Sequence, residues 1–199
     1  VLIRIVGVTG SGLQSIYTNK AVKMALDWVS ANRVKYNISV VSVSQGAIFA
    51  NCGVPDGTAA VVASLKSFNV PVIAATGNNS NRTAINSIAC LPDVVSVGAT
   101  DNPDPGISGK PYDKNAKPYI ARYSNGDSTV DFYLNGRWYV TNYNGTVKFM
   151  AGTSNATASL SAWWLLNRKD SFDSTYTWLV SSSIPASNDW LSGKYIALP

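Results

Sequence analysis

Two short, largely apolar runs, at positions 70–75 and 94–97, place the strongest constraint on the fold of this chain. Strands buried on both faces of a parallel sheet have this near-continuous pattern, whereas half-exposed strands alternate apolar and polar residues. Before these runs, strand-like and helical stretches follow one another along the chain: strand-like 1–8, helical 19–31, strand-like 38–43 and helical 55–68. This order predicts an α/β fold in which helices flank a mostly parallel sheet, with ligands at the carboxyl ends of its strands.

The second half of the chain has a different composition. Pro, Gly, Asn, Asp and Tyr are frequent over 102–148, where pieces such as 136–140 are typical of antiparallel hairpins. Helical patterns return over 155–168 and 174–181. A chain of 199 residues with 46% hydrophobic residues can bury a sizeable core, so we expect one domain spanning 1–199.

The charge of the chain argues against binding to nucleic acid or to anionic membranes. Only 14% of the residues are charged, and the net charge of +5 comes from scattered Lys and Arg rather than from a basic run. No apolar stretch reaches the roughly 18 residues of a membrane span. The chain starts with Val1, without an initiator Met or a signal-peptide pattern, so we expect a processed or truncated product that lacks an upstream segment.

A small-residue turn at 150–156, Met-Ala-Gly-Thr-Ser-Asn-Ala, carries the main candidate for chemistry. It opens a helical run, and a helix N-terminus favours developing negative charge, so Ser154 lies where a nucleophile would. By itself, Gly-Thr-Ser is more often a turn and helix cap. Ser/His/Asp catalysis needs an imidazole to accept the serine proton, and the sequence contains no histidine.

The turn at 150–156 resembles the nucleophile motif of subtilisin-like serine proteases, and upstream segments match that family in order and spacing. Residues 72–78 are similar to the strand that ends in the oxyanion-hole asparagine, and 92–101 to the stretch that follows it. The resemblance implies that Ser154 is the nucleophile and Asn78 the oxyanion donor, although Asn78 alone also suits a turn at a strand end. It covers the whole chain but corresponds to roughly the later two thirds of the domain. It therefore implies a three-layer subtilisin-like fold without the family's N-terminal strands and helices.

The same resemblance implies which surfaces hold a peptide substrate. They comprise three short segments: Gly10, Ser11 and Gly12; Ser44, Gln45 and Gly46; and Ala75, Thr76 and Gly77. A peptide adds to such edges as an extended strand, and glycines let its backbone approach. The first segment is also compatible with a phosphate-cradling loop, but no Lys-Ser/Thr pair follows it, which argues against a nucleotide site.

In this family the catalytic Asp and His lie upstream of the strand that residues 1–6 would represent. The resemblance therefore implies a serine endopeptidase that cleaves a peptide or protein and whose Asp and His come from an N-terminal segment or a companion chain. This chain alone would be inactive. A rival interpretation is a non-catalytic module that binds peptides or serves in assembly, favoured by the missing histidine and by the aromatic residues of 137–143. A lysine base is a third interpretation, since Ser-Lys enzymes exist, but the sequence places no lysine beside Ser154.

Three positions depart from the family pattern. Asn155 follows the nucleophile where a small residue or Met is usual, Ala158 replaces the expected proline, and Leu-Asn-Gly at 134–136 replaces Ala-Pro-Gly. Asn155 is expected to crowd the first turn of the helix, which the lost proline would otherwise help to fix. Ser154 and Asn78, the residues that only chemistry needs, are both present.

The two cysteines, Cys52 and Cys90, are too few for a zinc site in a chain without histidine. By the resemblance they flank the pocket for the residue before the scissile bond. A disulfide there would stiffen the pocket and fit an oxidising compartment, and two buried free thiols are the alternative. Calcium sites are common in the family, but no acidic cluster lies in a matching segment, so no metal or other cofactor is assigned.

Five Asn-x-Ser/Thr sequons bear on the cellular location, at Asn37, Asn78, Asn81, Asn144 and Asn155. A glycan on Asn78 would cover the oxyanion donor, and one on Asn155 would lie beside the nucleophile. Either glycan is incompatible with catalysis. We therefore expect an extracellular or exported protein of a prokaryote.

Overall fold

The computed structural model of the protein describes residues 1–8, 15–101 and 118–197. The helices in these ranges are α1 Asn19–Asn32, α2 Thr58–Ser67, α3 Thr153–Asn167 and α4 Phe172–Ser182, with a 3-10 turn at Ala50–Gly53. The strands are β1 Val6–Val8, β2 Ser15–Tyr17, β3 Val41–Val43, β4 Val72–Ala75, β5 Val94–Asp101, β6 Tyr119–Ile120, β7 Phe132–Asn135, β8 Arg137–Thr141, β9 Val147–Ala151, β10 Ile184–Ser187 and β11 Ser192–Tyr195. Within the same ranges, no helix combines the length and the apolar character needed to cross a bilayer.

A seven-stranded sheet forms the centre of the protein. Its order is β3-β4-β5-β6-β10-β11-β7, with an additional pairing between β5 and β7. Strands β3, β4, β5 and β7 are parallel, so that Val72 lies opposite Val94 and Val97 lies opposite Phe132. Strand β6 pairs antiparallel with β5, and the antiparallel pair β10–β11 joins β6 to β7. The predicted mostly parallel α/β arrangement is confirmed.

Helices cover both faces of the sheet, which explains why the central strands are apolar without alternation. All four residues of β4 are buried. Val72 and Ala74 face the helices α1 and α2, whereas Ile73 faces α3 on the other side. The helix residues in these two layers are Val22, Leu26, Val62 and Leu65 on the first side, and Ala156, Leu160 and Trp164 on the second. The result is a three-layer domain whose largest buried helix side chain, Trp164, lies on α3.

Several elements differ from the sequence-based expectation. Residues 1–5 have no regular structure, and β1 pairs with β2 in a separate two-stranded sheet instead of joining the central one. Strands β10 and β11 were not predicted. The hairpin of β8 and β9 confirms the expectation for 136–140, with Tyr139 opposite Phe149. Residues 102–117 of the predicted hairpin region lie outside the described residues.

Candidate active site

The carboxyl end of β4 leads directly into the loop that carries Asn78. Thr76 and Gly77 are buried at the start of this loop, and Asn78 itself is exposed. Gly77 has φ 104°, a left-handed conformation that glycine adopts without strain. A Cβ atom at this position would also collide with the carboxamides of Asn125 and Asn86. Glycine is therefore required here on both conformational and steric grounds.

Thr153, the residue before Ser154, holds Asn78 next to the turn that carries Ser154. The Thr153 backbone N–H and hydroxyl both donate to Asn78 Oδ1, each at 2.9 Å. The same hydroxyl accepts from the Gly77 N–H at 3.2 Å. The Asn78 carboxamide is thereby fixed above the first turn of α3. The sequence identified Thr153 only as part of a cap motif, so its role as the bridge was missed.

The two hydrogen bonds from Thr153 to Asn78 Oδ1, which we call the clamp, leave the donor end of the Asn78 carboxamide available. Both Thr153 bonds use Oδ1, and no acceptor among the described residues binds Nδ2. A Cβ atom at Gly152 would lie 3.2 Å from Nδ2, so the glycine leaves space for the amide. The first backbone N–H groups of α3, including that of Ser154, have no partner within the helix. An amide donor and helix N–H groups at one place can stabilise an anion.

Ser154 is half-buried and its hydroxyl donates to the Ser44 carbonyl oxygen at 3.1 Å. In return the Ser44 hydroxyl donates to the Ser154 carbonyl oxygen at 3.3 Å. Among the described residues, no lysine, arginine, tyrosine or carboxylate forms a hydrogen bond with the Ser154 hydroxyl. A lysine base therefore has no support in the described part of the chain.

Two of the three predicted substrate segments lie side by side. Residues 44–46 follow β3 and residues 75–77 end and follow β4. Because these strands are parallel neighbours, with Val43 opposite Ala74, their carboxyl ends reach the same edge of the sheet. The third segment, Gly10, Ser11 and Gly12, lies outside the described residues.

Asn125 is the functional-site residue that sequence reasoning missed most clearly. It is fully buried and its Oδ1 accepts from the backbone N–H groups of Asn79 and Asn81, at 2.8 and 3.0 Å. Its Nδ2 donates to the Thr76 carbonyl at 3.0 Å and to Asn79 Oδ1 at 3.3 Å. Its backbone N–H donates to the Gly77 carbonyl at 2.8 Å. One side chain therefore holds the loop on both sides of Asn78.

Asn155 does not crowd the helix, contrary to the expectation from the family pattern. Its Nδ2 donates to the Gly136 carbonyl at 3.1 Å, and the Gly152 N–H donates to the same oxygen at 3.0 Å. Gly136 immediately precedes β8, whose first residue, Arg137, forms a two-pronged ion pair with Asp101 at 2.6 and 3.0 Å. Asn155 thus ties the start of α3 to an anchored hairpin.

Tyr123 is a titratable group close to this turn. Its hydroxyl would lie 2.5 Å from a Cβ atom at Gly136. Burial raises the pKa of Tyr123 to about 12, with Asp101 adding to the effect and Arg137 opposing it. The phenol is therefore neutral at physiological pH and does not supply the missing base.

The pairing of Cys52 with Cys90, which the resemblance implied, is present as a disulfide. It joins the 3-10 turn after residues 44–46 to the loop that precedes β5. No group of three or more His, Cys, Asp or Glu side chains with metal-binding geometry lies within the described ranges, so no calcium position can be named there.

We expect replacement of both Cys52 and Cys90 by serine to lower the free energy of unfolding by roughly 3–4 kcal/mol, because the bridge closes a long loop. The two cysteines are 38 residues apart. Urea unfolding followed by circular dichroism measures the change. Reductant should lower the stability of the native protein similarly and leave the double variant unaffected. A native protein that is insensitive to reductant would contradict the expectation.

Solved structures that share this fold include proteases. Sphericase aligns with a TM-score of 0.67 at 20% identity, over 90% of this chain and 60% of its own. A cold-adapted subtilisin-like serine proteinase aligns with a TM-score of 0.66 at 22% identity, over 96% and 65%. The patellamide maturation protease PatA aligns with 0.67 at 21% identity, over 92% and 65%. The chain thus spans less than two thirds of the length of these structures, and at such identities the likeness shows the fold.

Comparison at the level of sequence gives the family. A search of curated protein sequences finds no match. A sequence profile of the subtilase family matches residues 2–178, which include the Asn78 loop and the turn of Ser154. Since that match extends over most of the chain and agrees with the fold, the protein belongs to the subtilase family.

Proposed function

We propose that this chain supplies the nucleophile and the oxyanion donor of a serine endopeptidase, and that another segment or a companion chain supplies the catalytic Asp and His. The observation that carries the proposal is the clamp on Asn78. Thr153 occupies Oδ1 with two hydrogen bonds and leaves Nδ2 free beside Ser154. An asparagine that served only to form a turn would not need its side-chain Nδ2 held beside the nucleophile.

In the proposed reaction, the Ser154 hydroxyl oxygen attacks the carbonyl carbon of the scissile peptide bond. The histidine of the partner segment accepts the hydroxyl proton and later gives it to the leaving amine. Asn78 Nδ2–H and the Ser154 N–H stabilise the negative oxygen of the tetrahedral intermediate. Water then hydrolyses the acyl-enzyme by the same route. The substrate lies as an extended strand along segments 44–46 and 75–77.

A groove beside β3 offers a position for the partner segment. It has a volume of about 530 Å³ and lies between residues 1–5, helix α1 and strand β3, with only uncharged side chains along it. The Val41 N–H donates at 2.9 Å to the carbonyl of Pro71, the residue just before β4, so the backbone groups of Ser42 point to the other edge of β3. In the described part of the chain no strand pairs with that edge. An added strand there would end beside Ser44, whose carbonyl binds the Ser154 hydroxyl.

Fluorophosphonate labelling tests the proposed chemistry. We expect no adduct on the isolated chain, because Ser154 has no base, and an adduct on Ser154 when the full gene product or the companion chain is present. Intact-mass spectrometry and peptide mapping detect the adduct, and Ser154→Ala is the control. Labelling of the isolated chain would show that the base lies within it. No labelling in the presence of the companion would contradict the catalytic role.

The same experiment tests the position of the partner. Ser42→Pro removes the outward N–H of β3 without touching its bonds to β4, so it should prevent labelling by the assembled protein. Ser42→Ala keeps that N–H and should label normally. Equal labelling of the two variants would place the partner elsewhere.

The second candidate function is a non-catalytic module that binds peptides or acts in assembly. The observation in its favour is that the Ser154 hydroxyl is already engaged with Ser44 and lacks a base. Trp138, Tyr139 and Tyr143 of the β8–β9 hairpin are 41, 57 and 102% exposed, which suits a contact surface. Failure of labelling in every assembly would favour this function.

We also propose that the protein is exported from a prokaryotic cell. The Cys52–Cys90 bridge supports an oxidising compartment. Mass spectrometry of the native protein would test the absence of glycans at Asn78 and Asn155.

A further inference from the structure

Asn86 lies between the two described substrate segments. A Cβ atom at Gly46 would lie 2.7 Å from both Cβ and Nδ2 of Asn86. A Cβ atom at Gly77 would lie 2.7 Å from Oδ1 of the same residue. Real Cβ atoms do not approach other atoms so closely, so the Asn86 side chain touches both glycine backbones. We call the space between Gly46 and Gly77 the recess, and the Asn86 carboxamide fills it.

The backbone around Asn86 is attached to both walls of the recess. The Asn86 N–H donates to the Thr76 carbonyl and the Ser87 N–H donates to the Ala47 carbonyl, each at 2.9 Å. The disulfide at Cys90 adds a covalent attachment to the loop after Gly46. The floor of the recess therefore cannot withdraw to admit a larger group.

The hydrogen bonding of Asn86 shows that its polar ends are not both needed by the fold. Nδ2 donates to the Ala75 carbonyl at 3.2 Å, but the buried Oδ1 has no partner in the described structure. The side chain is only 5% exposed. A buried carbonyl without a donor costs free energy, so its volume, rather than its hydrogen bonding, is the property the site uses.

We infer that Asn86 makes the recess too shallow for a large side chain, so that the peptide residue held between Gly46 and Gly77 is small, such as Gly, Ala or Ser. The inference rests on the proposed function because it names the substrate class of the same site. Large apolar or aromatic residues would have to displace a carboxamide whose backbone is fixed on two sides. Substitution by glycine would open the recess while preserving the backbone bonds to Thr76 and Ala47.

Peptide binding to the 199-residue chain tests the inference. Two fluorescent, N-terminally blocked hexapeptides differ only in their last residue, Ala or Phe, and fluorescence anisotropy gives the Kd of each. We expect the native chain to bind the Ala peptide about 10-fold more tightly than the Phe peptide. Asn86→Gly should reverse this to a preference of about 5-fold for Phe.

The control is the same change at a distant exposed asparagine. Asn37 has φ 49°, so Asn37→Gly is tolerated by the backbone, and it should keep the preference for Ala. Thermal melts followed by circular dichroism verify that Asn86→Gly is folded. A native preference for Phe, an unchanged preference in Asn86→Gly, or no binding of either peptide to either protein would overturn the inference.

The labelling experiment separates the two proposals. Labelling of Ser154 in the assembled protein without peptide discrimination would refute the role of Asn86 and leave the endopeptidase standing. Peptide discrimination that depends on Asn86, in a protein that never labels, would refute the catalytic role and leave a peptide-binding recess for small residues.

Discussion

Replacing Asn78 by alanine in the assembled enzyme will lower kcat by about 10²- to 10³-fold, the usual effect of losing one oxyanion donor. The physical reason is that Nδ2–H strengthens its bond only when the carbonyl oxygen gains negative charge in the transition state. KM should change little. Steady-state hydrolysis of a peptide substrate measures both constants.

Alanine at this position also removes the acceptor that holds Thr153, so a second variant is needed. Asn78→Asp keeps an oxygen for the two Thr153 bonds, replaces the N–H donor by a second carboxylate oxygen and adds a negative charge beside the oxyanion. It should lose at least as much activity as Asn78→Ala. Asn79→Ala, next to it in the exposed loop, should retain nearly full kcat. An active Asn78→Asp enzyme would show that the clamp, and not the donor, is what catalysis requires.

Replacing Asn125 by alanine will lower the free energy of unfolding by roughly 3–5 kcal/mol, at about 1 kcal/mol for each hydrogen bond and more for buried groups left unpaired. The change removes four side-chain hydrogen bonds. It leaves two loop N–H groups without partners, and the Thr76 carbonyl keeps only the Asn86 N–H as a donor. Urea denaturation followed by tryptophan fluorescence measures the loss.

The matched control for Asn125 is Asn79→Ala. This variant loses one side-chain bond, at 3.3 Å, and should cost about 1 kcal/mol or less. If Asn125→Ala were no more destabilising than Asn79→Ala, the loop of Asn78 would have to be held by other contacts.

The buried strands and the helices were predictable because their signals are local. The run at 70–75 gave β4, and helical periodicity gave α1, α2, α3 and α4 to within a few residues at each end. Periodicity depends only on residues close in sequence, so it can be recognised without knowledge of the tertiary structure. The parallel arrangement followed from the alternation of these elements.

Strand pairing and edge strands were not predictable in the same way. The pattern of residues 1–8 is β-rich, yet only Val6–Val8 forms a strand, and it pairs with β2 outside the central sheet. Pairing partners are chosen by contacts distant in sequence, which a strand pattern does not contain. Strands β10 and β11 include Pro185 and Gly193, residues that disfavour strands except at edges or irregular positions.

In the candidate site, too, some residues could be predicted from the sequence and others could not. The resemblance named Ser154 and Asn78, which are 76 positions apart and lie together in the structure through Thr153. It gave no sign of Asn125 or Asn86, since asparagine in a loop ordinarily indicates a turn. Their importance comes from burial between distant backbone segments.

The edge of β3 with which no described strand pairs also bears on how the isolated chain behaves in solution. A strand edge with exposed N–H and C=O groups beside an apolar groove is a template for pairing with any extended chain, including a second copy of itself. Self-association would occupy the same backbone groups that a partner segment needs. Self-association of the isolated chain and binding of the partner segment therefore compete for one surface. The order in which the two pieces are mixed or synthesised would decide which of the two prevails.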